Sequence, residues 1–72
     1  MGREKELEKS YSNKDVVAKL RRLADALEGG RAFAIQVAGE RVRVPSDAQV
    51  AFEYERDGDE EELEIELKWT RR

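Results

Sequence analysis

The side chains with the most chemistry to offer are carboxylates set at every second position. Glu53 and Glu55 alternate with Phe52 and Tyr54, and Glu62, Glu64 and Glu66 alternate with Leu63, Ile65 and Leu67. In a strand, successive side chains point to opposite faces, so these five acids share one face and the apolar residues share the other. A connection through Asp57-Gly58-Asp59-Glu60 sets Glu53 opposite Glu64 and Glu55 opposite Glu62. Like charges directly opposite on a sheet destabilise the pair. Such an array could dock a cationic partner, or hold a hard cation such as Ca²⁺ or Mg²⁺ through carboxylate oxygens. The plain alternative is a solvated face whose charge discourages edge-to-edge association. The loop from Asp57 to Glu62 lacks the twelve-residue ligand spacing of an EF-hand.

Other reactive types are scarce. The chain has no Cys and no His. That removes disulfides, thiolate catalysis, thiolate-bound zinc and the commonest general base. Ser10, Ser12, Ser46 and Thr70 therefore have no imidazole to activate them. Gly29-Gly30 follows a helical pattern instead of opening one, so it is no phosphate-binding loop. Lys14, Lys19, Arg21 and Arg22 are interrupted by Asp25 and Glu28 and read as a mixed-charge solvent face, which disfavours nucleic acid. Trp69 continues the row Leu63, Ile65, Leu67. It is expected as a structural anchor that closes the core and leaves its indole N–H near solvent.

The whole chain is 72 residues, 43% charged and 39% hydrophobic, with a net charge of −3. Ten of its seventeen acids fall within residues 46–69, which hold two bases, so the near-neutral total hides an acidic C-terminal third. No apolar run approaches the ~20 residues of a membrane helix. The start Met1-Gly2-Arg3-Glu4-Lys5-Glu6 has no apolar signal region. These features lead to the expectation of one soluble, cytoplasmic domain over 1–72, with 1–5 and 70–72 as flexible tails.

The elements that must position the acids are legible from periodicity. Val16, Leu20, Leu23 and Leu27 recur at helical spacing, widened by Val17 and Ala24, and predict a helix over 13–28. Ser12 is the expected N-cap with Asp15 three residues on, and Gly29-Gly30 the stop. After Gly30 the period becomes two. Phe33, Ile35 and Val37 form one strand, and Val42 and Val44 a second. A turn with Gly39 first pairs Val37 with Val42 and Ile35 with Val44. Pro45-Ser46-Asp47 ends this hairpin. The second hairpin pairs Tyr54 with Leu63, Phe52 with Ile65 and Val50 with Leu67. Residues 3–10 fit either a frayed tail or an edge strand that docks Leu7 and Tyr11.

Three segments carry a family likeness. They are Val16–Gly29, Gly39-Glu40-Arg41-Val42-Arg43-Val44-Pro45, and the amphipathic run Glu62–Trp69. Together they resemble the amphi-Trp domain, a small domain of bacterial and archaeal proteins. The resemblance spans about residues 6–69 and implies a strand near 4–10. It brings no catalytic or binding residues to carry across.

The expected fold is α+β in the order (β)-α-β-β-β-β, with one helix packed on one face of a four- or five-stranded antiparallel sheet. The expected core is Val16, Leu20, Leu23, Ala24, Leu27, Phe33, Ile35, Val37, Val42, Val44, Val50, Phe52, Tyr54, Leu63, Ile65, Leu67 and Trp69. The expected role is a protein-interaction or scaffolding module that uses Glu53, Glu55, Glu62, Glu64 and Glu66 or an exposed strand edge. It would meet a protein with a basic surface, or a second copy as a homodimer, with no cofactor, metal, nucleic acid or membrane. The alternative is a carboxylate-based divalent-metal-binding protein or small hydrolase. Without His or Cys, enzyme activity is not expected.

Overall fold

The computed structural model describes residues 7–71. Helix α1 spans Asn13–Gly29 and is followed by β1 (Phe33–Val37), β2 (Glu40–Val44), β3 (Gln49–Asp57) and β4 (Glu60–Lys68). Among the described residues there are one helix and four antiparallel strands, as the periodicity requires.

The helix ends where its capping residues say it should. Ser12 has extended backbone, and its side chain accepts a hydrogen bond from the Asp15 amide at 3.2 Å. That satisfies one of the amides left without an intrahelical partner. At the other end Gly30 takes the left-handed conformation, φ 65°. Its N–H reaches the Leu27 carbonyl at 3.3 Å, and the Arg31 N–H reaches that of Ala26 at 2.8 Å. Only glycine enters this region without a Cβ penalty, so the chain turns off the helix here.

One expectation about the sheet is corrected. The strands form two separate two-stranded ribbons, β1–β2 and β3–β4, in place of one four-stranded sheet. Each ribbon completes its own ladder through a two-residue turn. The link between them carries Pro45, which has no N–H to give a ladder, and closes on itself through the Ala48 N–H to the Pro45 carbonyl at 3.2 Å. Residues 7–12 form no strand, and the rest of the candidate edge strand lies outside the described residues. Tyr11 still docks without one: its hydroxyl donates to the Gln36 carbonyl at 2.9 Å.

The first ribbon also differs in register. Phe33 pairs with Val44, Ile35 with Val42 and Val37 with Glu40. The turn residues are Ala38 and Gly39, both at positive φ, 51° and 85°. Two positive φ angles define a type I′ turn, whose twist matches that of the flanking strands. A turn with Gly39 in the first position, as expected from the sequence, would lie one residue later. The shift moves the pairing by two residues, so the apolar face is preserved.

The core is small and lies between α1 and the first ribbon. Ala26, Phe33 and Val44 are buried, with Leu23, Ile35, Val42, Ala48 and Leu67 packed against them. The side of α1 turned inward is Val16, Lys19, Leu23 and Ala26, at spacings of three and four. The small Ala26 side chain lets the helix approach Phe33 and Val44 closely. Lys19 lies along this side with its ammonium 4.7 Å from the centre of the Tyr11 ring, a cation–π contact. Arg22 closes the rim, its guanidinium 5.2 Å from the Phe33 ring centre and donating to the Ala34 carbonyl.

This packing overturns much of the expected core. Val17, Leu20, Ala24 and Leu27 form a second stripe on α1 and are exposed. On the second ribbon Val50, Phe52, Tyr54, Leu63 and Ile65 are exposed too, Phe52 by 71% and Leu63 by 69%. Only Leu67, at the ribbon's base, reaches the core. The cause is the separation of the ribbons: the helix packs on the first one, and its remaining apolar stripe does not meet the apolar face of the second.

Candidate interaction face

The second ribbon carries the acids in the register its alternation implies. Glu53 pairs with Glu64, Glu55 with Glu62, Phe52 with Ile65 and Tyr54 with Leu63. Two residues missed by the sequence reading belong to the same face. Asp57 pairs with Glu60, because the turn is only Gly58-Asp59, with Gly58 at φ 62°. Glycine followed by aspartate is a two-residue hairpin signal that could have revealed this. The acidic face therefore runs from Glu66 at the base to Asp57 and Glu60 at the tip.

All five sequence-predicted acids lie together on this face of the paired ribbon. Its electrostatics follow from the register. The Glu64 carboxyl is held above the ordinary glutamate value, first by the neighbouring Glu62 charge, then by local desolvation, then by Glu53, Glu55 and Glu66. Lys68 relieves the base of the array through a 3.4 Å ion pair with Glu66. At such exposure that pair contributes little stability. Glu55, Asp57, Glu60, Glu61 and Glu62 surround a shallow hollow near the tip that is open to solvent. Among the described residues no group of three or more acidic side chains is gathered closely enough to hold a metal ion.

The opposite face of the ribbon is chemically different. Val50, Phe52 and Tyr54 lie against Leu67, Ile65 and Leu63, and Arg56 faces Glu61 at the tip. The Tyr54 hydroxyl donates to the Glu61 carboxylate at 2.7 Å. That bond holds the Tyr54 phenol above its ordinary value. Its charged groups are thus confined to one end.

Trp69 stands one residue beyond β4 and is 36% exposed. It lines shallow hollows with Arg43 and Pro45 on one side and with Asp47 and Gln49 on the other. It is not a member of the buried cluster and sits where the two ribbons meet. Among the described residues no helix is long and apolar enough to cross a membrane.

The family model of the amphi-Trp domain matches residues 1–72, the whole chain. No curated protein and no solved structure matches it.

Proposed function

We propose, for a chain that belongs to the amphi-Trp domain family over its whole length, that it works as a protein-interaction module. The acidic face of the β3–β4 ribbon is the surface that meets a partner, and that partner carries Lys or Arg. The observation behind this reading is the two opposed carboxylate pairs, Glu53 with Glu64 and Glu55 with Glu62, on an exposed ribbon. Mutual repulsion raises the Glu64 carboxyl, and a cationic partner would relieve that repulsion on binding. The partner's cations gain where the ribbon alone loses. Complementary charge of this kind favours fast, salt-sensitive association over raw affinity. The same face repels the phosphates of nucleic acid.

Titration with a Lys/Arg-rich peptide, followed by backbone amide shifts, tests the reading. Saturable shifts on β3 and β4 that weaken with salt are expected. They should vanish when Glu53, Glu55, Glu62 and Glu64 are changed together to Gln. A peptide that binds both forms equally would remove the acidic face from consideration. A parallel titration with Ca²⁺ and Mg²⁺ separates a cationic protein partner from a metal. Saturable shifts at millimolar metal would favour the metal.

A further inference from the structure

Among the described residues, two apolar surfaces have no partner. One is the α1 stripe of Val17, Leu20, Ala24 and Leu27, and the other is the ribbon face centred on Phe52 and Leu63. Their dimensions agree. Val17 to Leu27 is ten residues of helix, about 15 Å at the helical rise. Val50 to Tyr54 is four steps of strand, about 14 Å. A helix stripe and a sheet face of equal length are the two halves of a helix-on-sheet layer.

We infer that a second copy of this chain supplies the missing halves: α1 of each protomer covers the β3–β4 apolar face of the other, in a reciprocal twofold dimer.

The exposed area favours this. The chain exposes 6698 Å². A compact monomer of 8.3 kDa would expose only about 4,600 Å². Half of that surplus, about 1,000 Å², already exceeds the ~800 Å² that each partner buries in a stable interface. The radius of gyration agrees, at 13.6 Å where a chain of this length packs to about 11 Å.

Closure within one chain is opposed by the base of the ribbon. Leu67 and Ala48 pack against the core cluster, and the link is tied by the hydrogen bond from Ala48 to Pro45. Swinging the ribbon onto its own helix would release those contacts. Stacking one ribbon on another would leave both helix stripes wet. Pairing ribbon edges would join two acidic faces into one sheet surface. In the reciprocal arrangement the acidic faces point outward, the twofold axis makes both contacts equivalent, and the assembly closes at two copies. The contact uses the ribbon face opposite the glutamates and does not depend on what they bind.

Light-scattering mass on the full chain, from micromolar to millimolar concentration, tests the dimer directly. Twice 8.3 kDa is expected, and a strict monomer throughout overturns the inference in favour of closure within the chain. Leu20→Glu and Phe52→Glu should each weaken the dimer by on the order of 100-fold. Mixing the two variants should restore a mixed dimer, because one intact helix and one intact ribbon then remain to meet. A dimer that survives Leu20→Glu would show ribbon stacked on ribbon. If either variant loses its helical circular dichroism alone, recovery of the signal on mixing still supports the exchange, and absence of recovery overturns it.

Discussion

Glu53 and Glu64 stand on the same rung of the β3–β4 ladder, two carboxylates directly opposite each other. With Glu62, Glu55 and Glu66 close by, the Glu64 carboxyl is raised above its ordinary value, Glu62 contributing most. The folded protein therefore holds the Glu64 proton more tightly than the unfolded chain does. By linkage, this group's contribution to stability is present below the ordinary glutamate value and is lost as pH rises through the raised value. The urea midpoint should fall as pH increases across that window. Glu64→Gln should flatten the dependence and raise the midpoint slightly at pH 7. A midpoint for Glu64→Gln that still tracks pH like the parent would show that the repulsion is screened out.

Phe33 and Phe52 are chemically identical and structurally opposite. Phe33 is buried with Ala26 and Val44, whereas Phe52 is 71% exposed. Phe33→Ala should cost about 3–5 kcal/mol, the range for truncating a large core side chain. That is a large share of the roughly 4–11 kcal/mol expected for a domain of this size. Phe52→Ala should be nearly silent in dilute protein and increasingly costly as concentration rises and the dimer forms. Thermal unfolding of both variants at two widely separated concentrations makes the comparison.

Ala38 occupies a left-handed position, φ 51°, that alanine takes reluctantly. Asn-Gly is the favoured pair for a type I′ turn. Ala38→Asn is expected to stabilise the protein by about 0.5–1 kcal/mol, with the register of Phe33 with Val44 unchanged. Chemical denaturation would measure the gain, and cross-strand proton contacts would check the register.

Ser12 caps the helix by accepting from the Asp15 amide. Ser12→Ala should cost about 1 kcal/mol. Amide exchange should quicken first at the start of α1, because the change frees a first-turn N–H. Loss spread evenly over both ribbons would argue against a local capping role.

Residue type and spacing alone determined a large part of this protein. Helical spacing and the Ser12 and Gly30 caps located α1, because both signals are local. Strict alternation located the four strands and sorted acids from apolar residues on β3 and β4. There the connection Asp57-Gly58-Asp59-Glu60 set the register that keeps the apolar side chains opposite one another. On β1 and β2 two registers kept the same face, and the choice fell to Ala38, whose positive φ no local preference announces.

The tertiary structure decided which apolar faces meet. Val17, Leu20 and Leu27 are as apolar as Val16 and Leu23, and Phe52 is as apolar as Phe33. Periodicity gives each of them a face and says nothing of what lies across from it. That is settled by the turn at Pro45 to Ala48 and by the small side chain of Ala26, which together seat one ribbon against the helix and leave the other standing clear.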